Sequence, residues 1–222
     1  LPGLKLLSEE ARTSSTALDA LRADGWDGVF PIPNTNYVSV PTNNWSASSG
    51  TLELWGNTTN ADANHHYFFG HTTTPVYASR IQFYMDDAAR NLDLGLGGSH
   101  TTYTGIQTLA SSTWYHMAVT WNAGSYTVYV NCLDQGSGSY TNLNAMGAAD
   151  IGNNGDPATR NQGLTGIIDE VRVSNTARSA CWIRTGFNNQ NSPGTFYSMS
   201  AEEASPPTAV TLLSLTAKGG RP

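Results

Sequence analysis

Residues 114–131 read Trp114-Tyr115-His116-Met117-Ala118-Val119-Thr120-Trp121-Asn122-Ala123-Gly124-Ser125-Tyr126-Thr127-Val128-Tyr129-Val130-Asn131. Two runs of period two flank the turn Asn122-Ala123-Gly124-Ser125. In the first, Tyr115, Met117, Val119 and Trp121 fall on one face, opposite Trp114, His116, Ala118 and Thr120. In the second, Tyr126, Val128 and Val130 share a face. Alternation around a Gly- and Asn-bearing turn predicts two strands, each with one apolar side.

The same period extends outward through the chain. Tyr37-Val38-Ser39-Val40 and Thr51-Leu52-Glu53-Leu54-Trp55 alternate. Ile81, Phe83 and Met85 share a face, as do Leu92, Leu94 and Leu96, and Asp86-Asp87-Ala88-Ala89-Arg90 joins these runs as a hairpin loop. Short strands at a spacing of roughly 8–12 residues, joined by Gly, Asn and Ser, predict an all-β sandwich or barrel. No βαβ alternation occurs. One short helix is expected near the end, capped by Asn175 or Ser179, with Ile183 and Phe187 at i, i+4.

The domain is expected over residues 26–200. Residues 1–25 carry Leu4, Leu7, Ala11, Leu18 and Leu21 at loose helical spacing around the polar run Arg12–Thr16, and read as a linker or upstream segment. Residues 201–222 start with the linker composition Ala201-Glu202-Glu203-Ala204-Ser205-Pro206-Pro207. Val210–Leu215 then reads as the first strand of a following module, so the chain is expected to be part of a longer one.

At 222 residues the chain can bury a core without a metal or disulfide to hold it. Eleven Lys and Arg against 17 Asp and Glu give a net charge of −6, and only 13% of residues are charged. Such a chain is a poor nucleic-acid binder. No apolar run reaches the roughly 18 residues of a membrane span. Two cysteines make neither a zinc site nor a CxxC redox motif. No nucleophile elbow, HExxH or phosphate-binding Gly loop is present.

Candidate sites follow from the residue types. Glu53 stands alone on its strand, and Asp86-Asp87 sits in a turn, so the paired carboxylates of a retaining glycosidase are missing. No catalytic residue is expected. The densest cluster is His65-His66-Tyr67-Phe68-Phe69-Gly70-His71; on an alternating strand His65, Tyr67 and Phe69 face one way and His66 and Phe68 the other, so the adjacent imidazoles point apart. A metal shared by His71 and one of them is the alternative. His116 is expected to be a hydrogen-bonded structural histidine. Trp45, in a polar loop, is the leading platform for stacking a sugar ring, with Tyr84 and Tyr103 behind it. The loop Asp150-Ile151-Gly152-Asn153-Asn154-Gly155-Asp156 is rich in oxygen ligands, with Asn153 and Asn154 as ligand-binding candidates; calcium chelation and a pair of Asx turns are both open. Asn44-Trp45-Ser46 and Asn57-Thr58-Thr59 match glycosylation sequons by chance composition.

In Gly166–Ser174, strict alternation places Asp169 in phase with Ile167, Val171 and Val173. A carboxylate on that side needs hydrogen-bond donors or a cation.

Trp114–Asn131, Gly166–Ser174 and Thr176-Ala177-Arg178-Ser179-Ala180 leading into Trp182-Ile183, with the two strands upstream, resemble the laminin G-like domains of the concanavalin A-like jelly-roll superfamily, of the kind found in large secreted bacterial proteins. The resemblance implies a two-sheet antiparallel jelly-roll sandwich that binds a polysaccharide, a cell-surface glycan or a protein partner outside the cell, without catalysis. It leaves a jelly-roll glycoside hydrolase or polysaccharide lyase, and a structural spacer, as alternatives. It also implies a structural calcium, with Asp169 and Asp27 as ligands. The family usually has Gly where this chain has Cys132 and often an acidic residue where it has Cys181. That joint departure suggests a disulfide between them, closing a loop of about 50 residues.

Overall fold

The computed structural model describes residues 29–30, 37–40, 45–62, 64–72, 78–86, 88–98, 103–143, 149–156 and 160–196. The segments 1–25 and 201–222, and Asp27, lie outside them.

The hairpin read from residues 114–131 is present. β7 (Tyr115–Asn122) and β8 (Ser125–Val130) pair antiparallel from Asn122↔Ser125 to Met117↔Val130. Both central turn residues, Ala123 and Gly124, have positive φ, 47° and 86°. That backbone matches the right-handed twist of the strands it joins. A second two-residue turn, Asn131-Cys132, leads into β9 (Leu133–Ser139). β3 (Ser49–Thr58) pairs with the other side of β7. β11 (Gly166–Ser174) and then β1 (Val29–Phe30) complete a six-stranded sheet in the order β1-β11-β3-β7-β8-β9.

The second sheet has the order β2-β10-β4-β5-β6. Its strands are β2 (Val38–Val40), β4 (His66–Thr72), β5 (Arg80–Asp86), β6 (Asn91–Leu96) and β10 (Ala149–Ile151). Every pairing described in both sheets is antiparallel. Leu52, Leu54, Met117, Val119 and Trp121 of one sheet and Phe68, Phe69, Ile81, Phe83, Leu92 and Leu94 of the other are fully buried between them. This is the jelly-roll sandwich expected from the sequence.

Two irregularities change which side chains face out. In β4 the pairing with β5 shifts between Tyr67 and Phe69. The extra residue lets Phe68 and Phe69 both join the core, so Phe69 does not share a face with Tyr67 as strict alternation required. In β11 the pairing with β3 shifts between Asp169 and Arg172, and Glu170 takes φ 52°. This β-bulge resets the alternation. Asp169 pairs with Trp55 on the outer face, whereas Val171 is buried in the core and Val173 packs against it.

The helix forms as expected: α1 (Ala180–Asn191), with the Ser179 hydroxyl accepting from the Trp182 N–H. A four-residue turn, α2 (Pro193–Phe196), follows. α1 lies on the outer face of the six-stranded sheet. Its one buried side chain, Ile183, packs on Ala118 and Tyr129. Phe187 stacks on Trp55 with ring centroids 5.5 Å apart.

Candidate functional site

α1 covers the outer face of the six-stranded sheet, and on the outer face of the five-stranded sheet the exposed side chains lie at the two ends, around Tyr37 and around His65 and Asp86. Alternation sends Ser39, Asp150, Gly70, Tyr67, Gln82, Tyr84 and Asp93 to this side, opposite their core-facing neighbours. Of these, Tyr67, Gln82, Tyr84, Asp93 and Asp150 are buried and Ser39 is exposed, so the middle of the face is itself covered.

Residues 152–156 lie directly on its middle. A Cβ at Gly70 would stand 2.3 Å from the Asn153 carbonyl oxygen, so only glycine admits this approach. The Gln82 side-chain amide donates to the Asn154 carbonyl at 2.9 Å. Asn154 Oδ1 accepts from the Asp156 N–H at 2.9 Å, an Asx turn, and Asn153 Oδ1 accepts from the Asn154 N–H. Asn153 and Asn154 are buried; their side chains shape the turns and do not present themselves to a ligand. One of the two Asx turns read from the sequence is formed, at Asn154.

At the β2 edge, Arg160 returns to the sheet. Its Nε and Nη2 donate to the two oxygens of the fully buried Asp150 at 2.7 and 3.2 Å. The Asp150 hydrogen bond holds the Arg160 guanidinium still more firmly protonated than usual. Its carbon lies 4.1 Å from the centroid of the Tyr37 ring, and Nη1 donates to the Tyr37 hydroxyl. Tyr37 is 40% exposed. It is an aromatic ring fixed from behind by a cation–π contact and open to solvent.

At the opposite end, His65 Nε2 lies 2.7 Å from Asp86 Oδ1, with both side chains partly exposed. The His65 ring stands edge-on to Tyr84 at 5.4 Å. Tyr84 in turn stacks on Tyr67 at 4.9 Å. Gln162 links the two ends, accepting from Asn154 Nδ2 and lying 3.4 Å from His65 Nδ1.

The predicted platforms fall elsewhere. Trp45 is half-buried, stacked on Phe69 at 5.5 Å and packed against the core; it folds over the sandwich edge. Tyr84 is buried, 4% exposed, between the Tyr67 ring stacked on it and the His65 ring edge-on to it. Tyr103 forms an isolated bridge with Leu94, and its hydroxyl donates to the Gln135 carbonyl at 2.8 Å. In the sequence Tyr37 reads only as part of a strand. Its signal was its position at the strand's polar phase, and its partner Arg160 is 123 residues away.

The histidines separate as expected. His66 is buried, with Nδ1 2.8 Å from the Gly163 carbonyl and Nε2 2.7 Å from Asp62 Oδ1. That contact holds the Asp62 carboxyl below its usual range. His71 is fully buried opposite Ile81. Among the described residues no three His, Cys, Asp or Glu side chains converge to hold a metal ion. Asp169, on the outer face of β11, gives Oδ1 to the Glu170 N–H at the bulge. It is not a carboxylate stranded among aliphatic side chains, and the physical reason for placing a cation there falls away. Cys132 and Cys181 are both free thiols; the expected disulfide is not formed.

A second polar cluster lies under α1. Glu53 and His116 are buried, with His116 Nε2 3.8 Å from Glu53 Oε2 and Arg172 Nη1 3.6 Å from Oε1. Neither Glu53 oxygen nor His116 Nδ1 has a hydrogen-bond partner among the described residues. His116 is held by ring packing against Trp55 and Phe187, not by the hydrogen bonds expected of it.

Residues 33–184 match a laminin G type family described as belonging to the concanavalin A-like lectin/glucanases superfamily, and the chain belongs to that family. No curated protein sequence matches it significantly. Among solved structures it is similar to domain 4 of AbnA, an extracellular arabinanase from Geobacillus stearothermophilus, in complex with arabinotriose. Identity is 20%, the TM-score 0.51, and coverage 69% of this chain and 73% of that one. It is similar to a putative carbohydrate binding protein from Bacteroides ovatus at 21% identity and TM-score 0.52, covering 67% and 43%. It is also similar to the Trypanosoma rangeli sialidase at 16% identity and TM-score 0.57, covering 77% of this chain but 28% of the sialidase. At these identities the likeness is one of fold.

Proposed function

We propose that this chain is a non-catalytic carbohydrate-recognition module of a secreted or cell-surface protein, and that its ligand binds at the β2 edge of the five-stranded sheet, around Tyr37. The observation that carries the reading is Tyr37. Its exposed ring is pinned by Arg160, which is itself locked to buried Asp150. A sugar presents a C–H face that stacks on such a ring, and a ring already fixed loses little entropy on binding. Arg160 has five N–H donors; three are directed to Asp150 and Tyr37, leaving others for sugar hydroxyls. His65 and Asp86 supply further hydrogen-bonding groups at the far end.

The carboxylates support binding over hydrolysis. On this face Asp93 and Asp150 are buried and Asp86 is partly exposed. Glu53 lies on the opposite side of the sandwich, beneath α1. Glycoside hydrolysis by the usual route needs two carboxyl groups flanking one bond. The arabinotriose held by domain 4 of AbnA and the carbohydrate binding ascribed to the Bacteroides ovatus protein agree with the reading.

The test is a glycan array probed with the full chain and with Tyr37→Ala. Binding of a defined set of glycans by wild type, weakened at least tenfold in the variant at unchanged melting temperature, is expected. Equal binding by both proteins would move the site elsewhere, and binding to no glycan would remove the function.

A further inference from the structure

We infer that the face carrying Tyr37 recognises an uncharged glycan and excludes uronic-acid, sulfated and sialylated polymers. This rests on the reading of that face as a glycan site. Residues 23–161 contain three cationic side chains, Arg80, Arg90 and Arg160, and no lysine. This span supplies every strand of the five-stranded sheet and every connection between them.

Each arginine is already committed. Arg80 is 1% exposed and lies flat on β6; a Cβ at Gly95 would come within 2.8 Å of its guanidinium carbon. Arg90 is buried and donates to the carbonyls of Leu109, Thr58 and Ala110. Arg160 holds Asp150 through two N–H groups. A carboxylate or sulfate on a ligand is normally met by a guanidinium fork or a lysine ammonium. The N–H groups Arg160 has left can meet hydroxyls, but its charge is already matched by buried Asp150, so a ligand anion there would find no net positive charge.

The surrounding charge points the same way. Asp86, Asp93, Asp150 and Asp156 outnumber Arg80 and Arg160 on and over this face, a balance of −2. An anionic polymer would meet repulsion along its length, whereas stacking on Tyr37 and hydroxyl hydrogen bonds need no net charge. Among the described residues the remaining cations, Arg172, Arg178 and Arg184, belong to the other side of the sandwich, around α1.

Affinity electrophoresis of the full chain decides it. Native gels would contain neutral polysaccharides (arabinan, xylan, mixed-linkage glucan) or polyanions (polygalacturonate, alginate, heparin), at low and high salt, with and without calcium. The expected result is retardation by at least one neutral polymer, unchanged by salt, abolished by Tyr37→Ala, and none by a polyanion through this face. Retardation by a polyanion that Tyr37→Ala abolishes would overturn the charge class while leaving the glycan site in place. Retardation by no polymer would overturn both readings together. A polyanion held equally by wild type and Tyr37→Ala, beside a Tyr37-dependent neutral polymer, supports the inference.

Discussion

His116 Nε2 lies 3.8 Å from Glu53 Oε2, and α1 seals both from water on the outer face of the six-stranded sheet. Burial, with Arg172 adding to it, pushes the His116 imidazole down to about 4. Burial also raises the Glu53 carboxyl, against the opposing pull of Arg172 and Arg178. The pair is thus a neutral imidazole beside a carboxylate that protonates early. A histidine held below its unfolded value contributes stability that is complete above about pH 6.5 and is lost as pH falls toward 4. The loss is about 3 kcal/mol for a shift of this size. Raised Glu53 has the opposite sign: its contribution grows as pH falls through the raised value and is complete below the unfolded one, offsetting part of the loss. Urea melts between pH 7 and 4 should show this decline in wild type and a flatter profile in His116→Gln; parallel profiles would refute the assignment to His116.

Gly70 sets the height of the 152–156 loop above β4. In Gly70→Ala the new methyl would meet backbone atoms of Asn153 and Asn154 at 2.3 Å, atoms that cannot rotate away. Overpacking of this kind costs about 1–3 kcal/mol. The displaced loop should also loosen the return of Arg160 to Asp150, so glycan binding is expected to fall together with stability. A variant that melts and binds like wild type would show that the loop does not position the site.

Trp45 is expected to matter for stability instead of binding. Its ring covers Phe69 at the sandwich edge, and Trp121 Nε1 donates to the neighbouring Ser46 carbonyl at 3.2 Å. Removing a fully buried Trp costs about 3–5 kcal/mol, and a half-buried one correspondingly less. Trp45→Ala should therefore lower the unfolding free energy from urea melts by about 2 kcal/mol while the remaining folded protein keeps its glycan affinity. A loss of affinity at unchanged stability would restore Trp45 as the platform.

The sandwich was legible because its signal is repeated. Tyr115–Trp121, Ile81–Met85 and Leu92–Leu96 each carry several residues in one phase, and every strand reports the same two-layer arrangement. The bulges at Phe68 and Glu170 were not legible, because one inserted residue leaves composition and local hydrophobicity unchanged while reversing the phase beyond it. Asp169 was misplaced for that reason alone. The candidate site was partly legible: His65 and the Asp150–Asp156 loop stood out by residue type. The Tyr37–Arg160–Asp150 group did not, since it joins a strand residue to a cation 123 positions later. Isolated loop tryptophans attract attention, but a large ring beside an apolar edge gains more by folding onto it than by staying in water.

The last prediction concerns the thiols. Asn131 and Cys132 close the β8–β9 hairpin with φ of 49° and 62°. Positive φ at both positions is the turn for which Asn-Gly is the preferred pair. Asn131 fits, and its Oδ1 also accepts from the His116 N–H at 2.9 Å. Cys132 carries a Cβ that crowds the backbone in this conformation, at a cost of roughly 1–2 kcal/mol relative to glycine. Its thiol is free, so no bond offsets that strain. Cys132→Gly should therefore stabilise the domain by about 1 kcal/mol, less than the strain because glycine also loosens the unfolded chain. For a domain of this size that is about 2–4 °C in melting temperature. Thiol titration under denaturing, non-reducing conditions supplies the companion measurement, with two reactive thiols expected in fresh wild type and one in the variant. A variant that melts well below wild type, with no reactive thiol in the latter, would show that Cys132 and Cys181 pair after all and that the strained turn is held by the bridge.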